Sequence, residues 1–160
     1  MDLDYEHKYN KYKKKYLDLK YKEYSGGGFF YFFYSKEKKS AFNAVKINGL
    51  ELKKYNDFQN DKDVVLEAVK KDGLALQYAS ENLQNDKKIV LAAVKRDGLA
   101  VQYASNVLKD NKEVGLAASL ENSTAEMYLS SDLIKSPQFT KELNEKIDKR
   151  HEDYKRKMNI

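Results

Sequence analysis

The amino-acid sequence predicts an all-α fold: a short right-handed-type α-solenoid of two-helix repeats, with an N-terminal amphipathic helix and a C-terminal capping helix. Three observations predict it. A segment is written twice in near identity, NDKDVVLEAVKKDGLALQYASENLQ over 60–84 and NDKKIVLAAVKRDGLAVQYASNVLK over 85–109, and self-similarity at a short fixed period marks a stacked array. Within each copy the apolar residues recur at helical spacing. A helix that short cannot bury its apolar face alone, so neighbouring copies must supply the core.

The first element is 1–25, where Tyr5, Tyr9, Tyr12, Tyr16 and Leu19 alternate spacings of four and three. That pattern gives an amphipathic helix with a tyrosine face and a lysine face. Two uses are open to it: docking on the repeats or on a second copy, or serving as a polybasic arm for nucleic acid or an anionic surface. A Gly/aromatic linker, 26–40, follows. Gly26, Gly27 and Gly28 form a joint, since no strand precedes them and no Lys-Ser or Lys-Thr follows, as a phosphate loop requires. The run FFYFFY over 29–34 has high β-propensity and no charge. It either covers the open apolar face of the first repeat, where a solenoid needs a cap, or forms a protein or membrane contact. The remainder, 35–40, reads as charged linker.

The repeats occupy 41–135 as four helical hairpins, two strict and two degenerate. Gly73 and Gly98, Ala68 and Ala93, Tyr78 and Tyr103, and Ser80 and Ser105 are each 25 residues apart. Upstream, Val45, Gly49 and Leu52 hold a spacing of 24; downstream, Val114, Ala118, Tyr128 and Ser130 stay in register, but Ser123 replaces the glycine. In each unit Asn60 or Asp61, and likewise Asn85 or Asp86 and Asp110 or Asn111, supplies the N-cap of the first helix. Val64, Val65, Ala68 and Val69 form its apolar face. Asp72-Gly73 and Asp97-Gly98 end it, because glycine takes a left-handed C′ conformation without penalty. A second helix starts at once, its buried side marked by Leu74, Ala75, Tyr78, Ala79 and Leu83. Leu99, Ala100, Tyr103, Ala104 and Leu108 mark the next copy. Gly49, Gly73, Gly98, Tyr78, Tyr103 and Tyr128 are the structural markers of the repeat.

The last element, 136–160, begins at Ser136-Pro137, an N-cap followed by a proline tolerated in the first turn. Phe139, Leu143, Ile147, His151, Tyr154 and Met158 track one face that closes the stack, and the basic tail should fray. Glu142 with Lys146, Glu145 with Lys149, and Glu152 with Arg156 are i,i+4 pairs for the wet side.

Composition narrows the function. Charged residues are 34% of the chain and apolar ones 41%, which suits thin stacked helices with a large surface. With no cysteine, disulfides and thiolate metal sites are excluded. The first 24 residues lack the apolar core of a secretory signal, and no apolar run nears the roughly 20 residues of a membrane helix, so a soluble, intracellular protein is expected. The formal charge of +5 is uneven: 10 Lys against 6 acids over 1–40, 13 basic against 14 acidic over 41–135, and 7 against 5 over 136–160. Only Arg96, Arg150 and Arg156 are arginine. Bidentate recognition of phosphate or guanine favours arginine, so the excess of lysine is weak support for a nucleic-acid partner.

No catalytic constellation is found. His7 and His151 lie at opposite ends, neither with a second ligand at metal spacing, so no metal and no cofactor is expected. Ser80, Ser105 and Ser130 recur at one position, whereas a nucleophile needs one environment with a base beside it; a structural hydrogen bond is expected. Asp72 and Asp97 oppose the helix dipole, and an Asx-type turn onto the next helix, or a ladder to the next unit, would account for them. Lys70 with Lys95, Lys71 with Arg96, and Gln77 with Gln102 recur without a packing role. Aligned by stacking, they form polar rows on the surface and are the candidate binding residues.

The pattern NDK-x-x-V-L-x-A-V-K-x-D-G-L-A-x-Q-Y-A-S over 60–80 and 85–105 resembles a short helical repeat of unknown function abundant in mimivirus-like giant viruses of amoebae. KYKKKYLDLKYKEYSGGG is similar to a lysine- and tyrosine-rich leader on many proteins of those viruses. The resemblance implies a viral protein of the host cytoplasm or the virion, and it lends no catalytic residues. The expected function is a non-enzymatic repeat module that binds another viral or host protein, with the leader for assembly or addressing. The alternative is an electrostatic nucleic-acid binder through residues 5–24 and the basic C-terminal tail.

Overall fold

The computed structural model describes residues 28–158, with side chains from Lys36 onward. The leader helix expected over 1–25 therefore lies outside the described residues, as do the aromatic side chains of the FFYFFY run. Among the described residues every regular element is a helix. The chain is an all-α repeat stack.

The first departure from expectation is α1 (Gly28–Ile47), which runs through most of the segment read as linker. Two forces make it helical. Ala41 and Val45 are fully buried and anchor its last two turns, and propagation from an anchored turn adds one hydrogen bond per residue fixed. Lys36 to Lys39 are good helix formers.

The second departure is inside the repeat, which has three elements rather than two. In one unit α2 (Lys62–Lys71) is followed by a 3₁₀-helix (Gly73–Tyr78) and α3 (Glu81–Gln84). The next unit is α4 (Lys87–Arg96), a 3₁₀-helix (Gly98–Tyr103) and α5 (Asn106–Lys109). The third is α6 (Lys112–Glu121), a 3₁₀-helix (Ser123–Tyr128) and α7 (Ser131–Ile134). The degenerate first unit is α1 followed by two 3₁₀-helices, Gly49–Lys54 and Asn56–Phe58.

The expected second helix is thus broken at Ala79 and Ala104, whose backbones are extended at ψ 152° and 156°. Three residues per turn place Gly73, Leu76 and Ala79 on one line. Leu76 and Val101 are fully buried for that reason, while Leu74, Tyr78, Leu99 and Tyr103, expected inside, are half-buried. A 3.6-residue period misassigned them.

Both residues of each polar doublet have a separate task. Asp61 Oδ1 caps α2 by accepting from the amides of Asp63 and Val64 at 3.1 and 3.2 Å; Asp86 and Asn111 cap α4 and α6 in the same way. The preceding Asn60 and Asn85 bind the serine of their own unit: Ser80 Oγ donates to Asn60 Oδ1 and Ser105 Oγ to Asn85 Oδ1, both at 2.6 Å. Ser130 Oγ donates to Asp110 Oδ1. The backbone repeats each tie, Ser80 N to Gln59 O at 2.8 Å, Ser105 N to Gln84 O at 3.0 Å and Ser130 N to Lys109 O at 3.2 Å. The recurrent serines thus close their own unit through the side chain and hold it to the last residue of the preceding unit through the backbone.

The glycines were expected to end the helices by left-handed geometry. The turn is made instead by Asp72 and Asp97, in extended backbone at φ −143° and −150°. Their Oδ1 atoms accept from Leu74 N at 3.1 Å and Leu99 N at 2.9 Å, the Asx-type cap that was one of the two roles expected of them. Asn48 and Asn122 do the same. Glycine is required by the next unit: a Cβ on Gly73 would stand 2.5 Å from Ala93 O, and one on Gly98 2.5 Å from Ala118 O. Ser123 is allowed in the third unit because it is exposed, with no further unit upon it.

The core runs from Ala41 to Leu143 as one apolar cluster. Its C-terminal end is closed by α8 (Pro137–Met158), which packs on α6 through Phe139 and Leu143. Gly115 occupies the position of Val65 and Val90, and a Cβ there would lie 3.1 Å from the Phe139 ring and 2.8 Å from Leu133 Cδ2. The repeat gives up its valine where the capping ring enters. Glu142 pairs with Lys112 at 2.7 Å instead of with Lys146. The expected apolar face is buried only in its first half: Ile147 is half-buried, whereas Tyr154 and Met158 are 60% and 55% exposed. The basic end, expected to fray, stays helical to Met158, with Arg156 held 3.7 Å from Glu152 and Asp153.

Candidate functional site

The six candidate residues of the polar rows divide into two groups. Gln77 and Gln102 are half-buried, and each side-chain amide donates to the carbonyl three residues back, Leu74 O at 3.0 Å and Leu99 O at 3.1 Å. Their recurrence serves the 3₁₀-helix. Arg96 is exposed, but its Nε donates to Lys71 O at 3.1 Å and so closes the C-terminus of α2. Arg150 does the same for α6, donating to Leu120 O at 2.5 Å while pairing with Glu121 at 3.0 Å. Lys70, Lys71 and Lys95 remain exposed, without an ion pair among the described residues. The marker tyrosines Tyr78, Tyr103 and Tyr128 are half-buried against the core.

Sequence reading missed a second lysine row, at the N-termini of α2, α4 and α6 and midway along α1. Lys62 Nζ lies 2.6 Å from Asp86 Oδ2, Lys87 Nζ 2.6 Å from Glu113 Oε2 and Lys112 Nζ 2.7 Å from Glu142 Oε1. Lys38 begins the series, 2.8 Å from Asp61 and 3.2 Å from Asp63. Lys38, Lys62 and Lys87 reach the N-cap or first turn of the next repeat helix, where an anion is favoured by the dipole, whereas Lys112 reaches Glu142 in the second turn of α8. The signal was present in the recurrent third residue of the NDK triplet. Isolated surface pairs contribute about 0–1 kcal/mol each, so the row sets register more than stability.

The Lys62 ammonium, hydrogen-bonded to it, is the largest cause holding the Asp86 carboxyl below its ordinary range, and the Ile89 and Lys88 amides add to the effect. Glu113 is lowered by Lys87, and Glu142 by the Gln138 amide and then by Lys112. Lys38 is raised, chiefly by Asp61. A lowered carboxyl stabilises the fold above its unfolded value, near pH 4, and that contribution is lost as pH falls through the folded value. Lys38 acts oppositely: its contribution is complete below its unfolded value and lost as pH rises through the raised folded one. In a pH titration followed by NMR, the Asp86 carboxyl should therefore titrate below the ordinary aspartate value, and Lys62→Met should move it upward. An unmoved Asp86 in the variant would mean that the pair does not form in solution.

The recurrent serines and aspartates are occupied by caps and ladder bonds, His151 is exposed on α8, and His7 lies outside the described residues. No group of three or more His, Cys, Asp or Glu among the described residues is placed to hold a metal ion. No helix among them is long and apolar enough to cross a membrane.

A family model described as a domain of unknown function (DUF4116) matches the chain over 41–84, 61–109 and 86–134. The three overlapping matches step through the stack by one structural unit at a time. No curated protein and no solved structure matches the chain.

Proposed function

The chain belongs to the DUF4116 family, a domain of unknown function whose matches run from 41 to 134, and from that membership and the geometry of the stack we propose that it is a non-enzymatic helical-repeat module that binds another protein. The observation that carries this reading is that equivalent side chains of successive units, Lys70 and Lys95 above all, stand exposed and in register at the ends of stacked helices. A ladder of that kind repeats one chemical group at the interval of the repeat, which is how stacked arrays build an extended binding surface. The resemblance of the leader and of the repeat to proteins of giant viruses supports a viral origin, and with it action in the host cytoplasm or packaging in the virion.

The test is capture of partners by the tagged full-length protein from infected-host lysate, with and without nuclease, read by mass spectrometry. A discrete protein that stays bound after nuclease treatment is the expected result. Loss of all bound material on nuclease treatment would transfer the function to nucleic-acid binding through residues 5–24 and the basic C-terminal residues.

A further inference from the structure

We propose that the C-terminal ends of α1, α2 and α4 form a basic ridge that receives an acidic segment of a partner protein. The inference rests on the protein-binding reading and specifies the surface and the partner chemistry. Two lysine rows run along the stack, and they differ in compensation. In the N-terminal row, Lys38, Lys62, Lys87 and Lys112 are each paired to a carboxylate of the next element. In the C-terminal row, Lys46, Lys70, Lys71 and Lys95 are all exposed, and none is paired among the described residues.

Most acids near this row are already engaged; Glu67, half-buried on α2 three and four residues before Lys70 and Lys71, forms no ion pair with them. Asp72 and Asp97 are half-buried and capped onto the amides of Leu74 and Leu99, Glu51 pairs with Lys54 at 2.7 Å, and Glu121 pairs with Arg150. The helix dipole explains a cation in each last turn, but it leaves the ammonium groups in solvent. Ile47, 77% exposed, stands at the position of Lys71 and Arg96 and adds one apolar contact to the ridge.

Dimensions and chemistry favour an acidic peptide over nucleic acid. Successive packed helices lie about 8–10 Å apart, so Lys46 to Lys95 spans roughly 16–20 Å across two steps. An extended chain rising about 3.3 Å per residue covers that in about six residues, with alternate side chains on one face. The arginine fork holds phosphate and carboxylate alike, so the apolar neighbour Ile47, rather than the choice of lysine, separates the two ligands. The one arginine here, Arg96, already uses Nε on the Lys71 carbonyl. Point-charge lysines beside an isoleucine suit carboxylates on a chain that also carries apolar groups.

The test uses the full-length protein, a fluorescein-labelled peptide of ten glutamates and a labelled DNA duplex, with binding read by anisotropy. The ridge variant K46Q/K70Q/K95Q is compared with K88Q/K135Q/K141Q, which removes the same charge from exposed, unpaired lysines elsewhere. Three rim charges correspond to about a tenfold loss of peptide affinity in the ridge variant, with the control close to the parent and K46R/K70R/K95R restoring binding. Equal loss in both glutamine variants would overturn the ridge in favour of net charge. Tighter binding of the duplex, lost in the ridge variant, would overturn the acidic peptide in favour of nucleic acid, and binding of neither probe would overturn the ridge. Capture of the same nuclease-resistant protein by parent and ridge variant alike would refute the ridge and leave the protein-binding reading standing. Capture of no protein by either refutes that reading itself.

Discussion

Gly98→Ala should lower the stability of the stack by about 1–3 kcal/mol, seen as a lower midpoint in urea unfolding followed by circular dichroism. An ordinary helical glycine predicts the opposite sign, since alanine gains about 0.5–1 kcal/mol there by restricting the unfolded chain. The clash decides. The new Cβ would stand 2.5 Å from Ala118 O and 2.9 Å from Asn122 N, and both are backbone atoms of the next unit. Neither can rotate away. Relief requires α6 to move off α4, opening a core in which Val90, Ala93, Val94 and Val114 are fully buried. Alanine at Ser123, the equivalent position without a unit above it, should be tolerated. A raised midpoint for Gly98→Ala would show that the units are not packed as closely as described.

Phe139→Ala should cost more, about 3–5 kcal/mol, and the loss should be local. Phe139 is the largest fully buried side chain, and its ring occupies the space that Gly115 leaves where earlier units carry valine. In a stack each unit contacts only its neighbours, so removing a cap weakens the end first. Hydrogen exchange should report early opening of α6 and α8, with α2 retaining more protection. Uniform loss of protection from α1 to α8 would reject local capping and indicate a single cooperative core.

These two effects also mark the limit of what was legible. Gly98 was visible as a repeat marker, but its expected task was a left-handed turn, because the sequence shows that a glycine recurs and not what faces it. The Ala93 and Ala118 carbonyls that demand it lie 20 residues away from Gly73 and Gly98. Phe139 and Leu143 were readable as a buried face from helical spacing. The exposure of Tyr154 and Met158 was not, since the pattern continues past the point where α6 ends. The candidate rows fared unevenly for the same reason: recurrence marked Gln77, Gln102 and Arg96 as well as Lys70 and Lys95, and only hydrogen-bond partners separate structural repetition from a free surface.

The sequence by itself determined the repeat, its period and its all-helical class, narrowed each N-cap to one of two neighbours (Asn60 or Asp61, Asn85 or Asp86, Asp110 or Asn111), and narrowed Asp72 and Asp97 to an Asx-type turn or a ladder. All of these are local, and a side chain that caps its own turn needs no distant partner. Tertiary structure decided the rest. It made a 3₁₀-helix of Gly73–Tyr78, turned Leu76 inward, ran α1 through the expected linker, and paired one lysine row with carboxylates while leaving the other without an ion pair among the described residues. The physical reason is that these choices depend on what the neighbouring unit presents across the stack, an alanine carbonyl, a carboxylate or nothing.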